Sequence, residues 1–497
     1  MALALFGIFL SLAFLIFFAY RGHSVVVVAP LAALLAAVLS GAPLLATYTQ
    51  IFMPALGKFL VSFFPLFMSG AIFGHLMTIS GLAQDLATGI SRLLGPKRAL
   101  LSTVLATALL TYGGVSAWVV AFTIVPIAVA LFKEAGIPKR LMPGALALGT
   151  ITFALAALPG SPQVHNAVPT KYFGTTTYAA PITGLIGAAL TFTLGMLWLE
   201  YRVHKLKAAG EVFEPAPDPK HDFHDLEGHG STSEAESIGV NPDALGHGET
   251  PPVLTHEGER LQNPVTRGLI GFLPILVVIV MNYLFTYVFA DMMNFDYLAE
   301  EKFGGVELSA VIGVWSVTVA LVTAILLIFA LNPRKAKDYV TGLSDGAKTA
   351  ILPAFTTASE VGYGAVIASL AVFAVLRDGI FSVSDNALVV SILSTGVISG
   401  ITGSSSGGLS ITLSTFGEDL QQMAGAGGID MELMHRLTAM ASVSFDSLPH
   451  NGAVLTMLLV CGLTHRQSYK DIFMVTVIVP LAVLAVLIPL TLGLGIV

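Results

Sequence analysis

Residues 441–454 read ASVSFDSLPHNGAV. The flanks are apolar enough for a membrane helix, yet the centre holds Asp446, Ser447, Pro449, His450, Asn451 and Gly452, which a lipid-facing helix cannot accommodate. Backbone that breaks at membrane depth, and polar side chains there, persist only where protein or a watery cavity surrounds them. Residues 150–168, TITFALAALPGSPQVHNAV, run through a related pattern, from a Thr/Ser-Phe pair through Leu-Pro to His-Asn. Two broken spans in corresponding halves of one chain are a pointer to a transporter's substrate site.

Composition sets the frame for these two stretches. Of 497 residues, 55% are hydrophobic and 11% charged, with mean hydropathy +0.82, so apolar spans of about 20 residues must recur. The expected class is an all-α polytopic membrane protein. The net charge of −7 carries little information, because such charge is confined to loops and sorted by side. No basic tract suited to nucleic acid occurs. A lone cysteine, Cys461, excludes an internal disulfide and a Cys-based metal site, and neither metal nor cofactor is expected. The apolar run 2–20 lacks a basic n-region and a following cleavage signal, so it reads as a first span.

In chain order, spans are expected at 2–20, 24–46 and 60–84. The run 99–132 is too long for one crossing and is interrupted at Tyr112-Gly113-Gly114-Val115-Ser116, so it reads as a re-entrant hairpin. A broken span over 141–170 and a span over 178–200 close a first unit, 1–205. Residues 206–264 are polar, with His221, His224, His229, His247 and His256; their spacing fits no zinc pattern, and the expectation is a disordered linker. The second unit, 265–497, holds spans at 266–290, 306–331 and 349–376, a hairpin at 387–420, a broken span at 431–463 and a span at 472–497. At one constant shift Pro65 aligns with Pro353, Phe67 with Phe355, Gly74 with Gly362 and Thr107 with Thr395; the shift drifts by a few residues at Phe153/Phe445 and His165/His450. Two repeats with small insertions are inferred.

Five crossings and one hairpin per half would make the repeats inverted. Of 24 Lys+Arg, only Lys58, Lys171, Lys302, Arg377 and Arg436 then fall on one side, and the positive-inside bias makes the other side, with the central loop, cytoplasmic. The two hairpins would enter from opposite faces, with tips meeting near the midplane, as alternating access requires.

The tips, 111–116 and 402–410, combine glycine with hydroxyls. Gly113, Gly114 and Ser116 in the first, and Thr402, Gly403, Ser404, Ser405 and Ser406 in the second, let backbone approach a ligand while half-helix starts offer unpaired N–H groups. Small residues also serve close helix packing; paired tips beside two broken helices favour binding. Ser161, Gln163, His165 and Asn166 mirror Ser447, His450 and Asn451, with donors and acceptors for a substrate carboxylate and hydroxyls or for a small cation. Satisfying backbone freed by Pro159, Pro162 and Pro449 is the competing use. Desolvation favours the neutral form of a carboxyl, as a residue that loads and releases a proton requires, and Glu360 and Asp446 are the proton-coupling candidates. No arginine is expected at depth, so anion binding would rest on N–H groups, hydroxyls, amides and His450.

TYGGVSAWVVAFTIVPIAVALFKEAGIPKRLMP, ALPGSPQ with KYFGT, ITGSSSGGLSI, and DSLPHNGAV with CGLTHRQSYKDI resemble the gluconate:proton symporter family of the ion transporter superfamily, and more narrowly its D-β-hydroxybutyrate or related organic-acid permease branch. The likeness spans nearly the whole chain except the central loop. It implies a bacterial inner-membrane carrier of small organic anions, coupled to H+, with a scaffold (2–46 and 266–331) and a mobile domain of hairpins and broken spans, working elevator-fashion as a homodimer. The superfamily's sodium-coupled carriers have Ser-Asn-Thr at each site; this chain has Gly-Gly-Val-Ser and Gly-Ser-Ser-Ser, which weighs against the alternative of a sodium-coupled di- or tricarboxylate carrier. An intramembrane hydrolase using Asp446 and His450 would need a nucleophile, base and oxyanion donors in contact, and repeat symmetry gives no reason for that.

Overall fold

The structure is a computed structural model that describes residues 2–21, 23–213, 263–449 and 451–495; no strand occurs among them. The five histidines of the central linker, within 214–262, lie outside the described residues, as does His450.

The first half comprises α1 (Ala2–Tyr20), α2 (Val25–Leu39), α3 (Leu44–Ile79), α4 (Leu82–Leu94), α5 (Ala99–Tyr112), α6 (Ala117–Glu134), α7 (Met142–Thr150), α8 (Phe153–Ala156), α9 (Val164–Phe173) and α10 (Pro181–Ala208). The second comprises α11 (Pro264–Met292), α12 (Ile312–Leu331), α13 (Ala336–Ser369), α14 (Phe373–Phe381), α15 (Ala387–Thr402), α16 (Ser405–Ala426), α17 (Met431–Ser442), α18 (Gly452–Cys461) and α19 (His465–Gly493). Among the described residues, six helices are long and apolar enough to cross a membrane: α3, α10, α11, α12, the helix Pro333–Ser369 that contains α13, and α19. The same order of element types runs through both halves, with a helical hairpin (α5–α6, α15–α16) followed by an interrupted helix (α7 to α9, α17 to α18).

Three elements differ from the hydropathy reading. The helix expected to reach residue 46 stops at Leu39, where Gly41 takes the left-handed region at φ +72°. Beyond Pro43, α3 then runs unbroken through a π-helical turn at Tyr48–Phe52, far ahead of the expected start at 60. The polar residues that masked it, Thr49, Gln50 and Lys58, sit on its exposed side, so they interrupt the hydropathy without interrupting the helix. Second, 82–94 is a helix. Leu82, Ala83, Leu86 and Ala87 line its buried face, a helical spacing that a span-length window averages away. Third, α13 begins at Ala336 and ends at Ser369, and the chain turns there into α14.

Glycine sets how closely these helices meet. On α13, Gly346 faces Ile72 of α3, where an added Cβ would lie 2.8 Å from the Ile72 Cα. Gly89 of α4 meets Gly268 of α11, and a Cβ on either would fall 2.7 Å from the other's Cα. The Asp85–Arg267 ion pair lies beside this crossing. Small residues at such contacts let backbones approach and maximise dispersion, which drives helix association where lipid supplies no hydrophobic drive. Gly268→Val is therefore expected to force α4 off α11 and to cost about 1–3 kcal/mol, the usual penalty of overpacking, read as a lower unfolding temperature in detergent.

Two sets of helices result. α1, α2, α3, α11, α12 and α13 pack on one another, and α4 docks on α11. The hairpins, interrupted helices, α10 and α19 form the second set, in which α16 packs on α9 and α6 packs on α18, so each hairpin lies against the interrupted helix of the other half.

Candidate functional site

The site begins at the breaks. In the first half, Pro159, Gly160 and Pro162 end the helical run, and Gly160 takes φ +73°. Helix α9 restarts at Val164, with Gln163 at its N-cap position making no cap bond of its own. The Gln163 side chain instead donates from Nε2 to the Thr111 carbonyl at 2.7 Å and to the Val115 carbonyl at 3.3 Å, holding the first hairpin tip. Tyr112 Oη donates to the Pro159 carbonyl at 2.7 Å from the other side. Gly114, at φ +98°, packs against Pro162 and Leu321, and Gly113 packs against Ile275. Ser116 precedes α6 without a side-chain cap bond.

Two residues beyond Gln163, His165 reaches the second tip. Its Nε2 lies 2.7 Å from Ser405 Oγ, the first residue of α16. In the second break, Ser447 Oγ donates to Asp446 Oδ1 at 2.8 Å. Ser404 Oγ accepts from Gly407 N at 3.0 Å. The Glu360 carboxylate occupies the space that a Cβ on Gly407 would need, so a larger residue there would have to displace it. His165, Ser405, Asp446 and Glu360 are 7, 8, 4 and 2% exposed. Glu360 Oε2 and His165 Nδ1 are buried without a protein partner, as ligand-facing atoms in a polar interior would be.

Asn451 caps α18, accepting from Val454 N at 2.9 Å, while its Nδ2 donates to the Gly403 carbonyl at 2.9 Å. A carboxamide from each interrupted helix thus holds a hairpin tip, Gln163 the first and Asn451 the second. Gly403 takes φ +64° to make its turn. The Thr402 hydroxyl is spent on its own helix, at the Ile398 carbonyl, and Ser406 Oγ lies 3.5 Å from Thr357 Oγ1 of α13. Ser161 Oγ donates to the Ala154 carbonyl at 3.3 Å.

Asn166 turns away from this cluster. Its Nδ2 donates to the carbonyls of Ser161 and Thr177, and its Oδ1 accepts from Arg436 Nη1 at 2.8 Å and from His435 at 3.2 Å. Arg436 overturns the expectation that no arginine lies at depth. Placed in an outer loop by the charge count, it is 0% exposed on α17. Its five N–H groups all find oxygen: the carbonyls of Ala156, Thr177 and Ala179 and the Asn166 amide. One turn earlier, Glu432 Oε2 accepts from Ala180 N at 2.9 Å, and Ala180 is the one described non-glycine residue at positive φ, +43°. The Glu432/Arg436 pair therefore pins a strained turn between α9 and α10, and Arg436 has no donor left for a ligand. His435, fully buried against Thr175 Oγ1 at 2.7 Å, belongs to the same staple. A signal existed: MHRLTAMAS, residues 434–442, places both residues in an otherwise small and apolar helix.

The structure thus gathers His165, Ser404, Ser405, Asp446, Ser447 and Glu360 into one buried cluster. Gly113, Gly114, Ser116 and Gln163 form a second group around the first tip. The stretch 163–165 touches both.

Membrane-length helices together with two interrupted helices around a buried polar cluster define a polytopic membrane transporter. The chain is 40% identical over 486 residues, 97% of each sequence, to a Bacillus subtilis (strain 168) protein named an uncharacterized transporter, YxjC, and it belongs to that transporter family. No family model matches the chain.

Proposed function

We propose that this chain is a proton-coupled symporter of a small hydroxycarboxylate, such as hydroxybutyrate or gluconate, in the bacterial inner membrane. The observation that carries the reading is the placement of two buried carboxyls at one hairpin tip, Glu360 against Gly407 and Asp446 in the break that Asn451 ties to the Gly403 carbonyl. A carrier needs its coupling group where a moving element and the substrate meet, and a tip packed against buried acids is sensitive to their protonation. The tip's glycines and the helix start at Ser405 offer N–H groups to an anion, and the unpartnered His165 Nδ1 offers one more contact.

The resemblance to the gluconate:proton symporter family supports the same class of cargo. In this reading the two halves are inverted repeats. The set holding α1, α2, α11 and α12 is the scaffold of a homodimer, the hairpins and interrupted helices move elevator-fashion, and the central loop is cytoplasmic. The test of cargo is uptake of labelled 3-hydroxybutyrate, gluconate and citrate into proteoliposomes, followed by chemical analysis of what has entered. Saturable uptake of intact hydroxymonocarboxylate is expected. Preference for citrate would move the assignment to the di- and tricarboxylate carriers, and a chemically altered product would mean an enzyme.

A further inference from the structure

One face of α11 ties the first set of helices to the first break. Asn282, 0% exposed, donates from Nδ2 to the Gly160 carbonyl at 2.9 Å and to Thr177 Oγ1 at 3.3 Å. On either side of it along α11, the Ile279 carbonyl accepts from Tyr178 Oη at 3.3 Å, and Tyr287 Oη lies 3.4 Å from Thr176 Oγ1. Gly160 N–H donates to the Thr177 carbonyl at 2.9 Å, so the one amide grips both segments that meet at the break. The second break is not held this way. Among the described residues its hydrogen bonds stay within the break or run to its own hairpin tip, from Asn451 to the Gly403 carbonyl, and to α19, where His465 and Tyr469 meet the Pro449 and Ser447 carbonyls. None of them reaches α1, α2, α3, α11, α12 or α13. On α1, which the repeat sets against α11, the buried Ser11 bonds Tyr363 Oη of α13 at 3.0 Å, inside the first set.

We propose that Asn282 is a latch that fixes the second set of helices against the first in the state seen here, and that it must release before the carrier can open its site to the other side. This rests on the moving-set reading above and names the contact that resists the motion. Apolar contacts between helices are non-directional and re-form after a shift, whereas an amide aimed at one carbonyl is satisfied in one register alone. Fixing the register of an otherwise apolar helix contact is the best-attested use of a buried polar residue. The Asn282 Oδ1 is buried without a partner, so the amide is kept for its donors, at a cost that an apolar residue would not carry. Two repeat-related breaks, one bonded to the first set and one not, give the asymmetry that a single alternating-access state requires.

The test is the rate at which N-ethylmaleimide reacts with single thiols in the purified full chain. Cys461, 2% exposed, lies on α18, which packs on α6, α7 and α19 within the second set, so its reaction reads unfolding. Ile275 on α11, 0% exposed, packs on Gly113 of the first tip, so Ile275→Cys in a Cys461→Ser chain reads the parting of the two sets. With Asn282 in place, Ile275→Cys is expected to react faster than Cys461. Asn282→Leu, which keeps the volume and removes the donors, should raise the Ile275→Cys rate about fivefold, the net worth of about one hydrogen bond, and leave Cys461 unchanged. Thr177→Val removes the longer contact; it should give a smaller rise and add nothing in the Asn282→Leu background. Asn282→Ala, whose cavity lets water reach the Gly160 carbonyl, should match Asn282→Leu and serves if that variant cannot be purified. No rise at Ile275→Cys, or an equal rise at Cys461, would overturn the latch, leaving Asn282 neutral in the first case and a determinant of the fold in the second. If Ile275→Cys reacts no faster than Cys461 even with Asn282 in place, the sets never part; the moving-set reading then fails, and the latch falls with it.

Discussion

Arg436→Met is expected to be the most damaging single substitution in the chain. The guanidinium is sealed from solvent with all five donors on oxygen; removing it strands the carbonyls of Ala156 and Ala179, and leaves the Thr177 carbonyl to Gly160 N–H and the Asn166 amide. Breaking a buried charged network of this kind costs about 3–5 kcal/mol, a large fraction of the stability of a typical fold. The protein should be recovered poorly from membranes and should unfold at a markedly lower temperature in detergent. Arg436→Lys keeps the charge but has three donors for those oxygens, and should fall between the two. An unchanged unfolding temperature for Arg436→Met would mean that the Ala179-Ala180 turn is held by other contacts.

The second large effect is on coupling. For symport of one proton with one monovalent anion at zero membrane potential, a gradient of one pH unit supports about tenfold accumulation, since each unit is worth about 1.4 kcal/mol. Asp446→Asn should reduce that accumulation to simple equilibration while exchange of external for internal anion continues, because the substrate still binds but no proton is carried. Glu360→Gln makes the informative contrast. Glu360 lies on α13 against Gly407 of the tip, whereas Asp446 lies in the break between α17 and α18, so substitution of Glu360 should slow turnover while leaving the pH-driven accumulation ratio near its original value. Counterflow and net uptake measured side by side separate these outcomes, and loss of accumulation in Glu360→Gln alone would transfer the proton to that acid.

How much of this could be read from residues follows from what each residue does to the hydropathy pattern. Proline, glycine and His-Asn inside apolar runs are local signals, and at both such places helices are interrupted, beside hairpins that turn at Gly114 and Gly403. The hydroxyls of the second tip were legible for the same reason. Partner choice was not. His165 and Asn166 are neighbours in sequence with equal claims on a ligand, yet on the first turn of α9 they point apart, one to Ser405 and the other to the Arg436 staple. Arg436 itself was hidden because a charge in a short helix looks like a loop residue until Ala156, Thr177 and Ala179 are brought around it from another part of the chain. Helix α4 was missed because only one of its faces is apolar, and the early start of α3 because its polar residues lie on its outer side.

The measurement that tests proton symport most directly is accumulation of labelled 3-hydroxybutyrate in proteoliposomes under an imposed pH gradient without sodium, and under a sodium gradient at equal pH. Uphill accumulation with the pH gradient alone, abolished by an uncoupler, is the predicted result. Accumulation that requires sodium and ignores the pH gradient would contradict it, and would recast Glu360, Asp446 and the serines of the second tip as ligands of a cation.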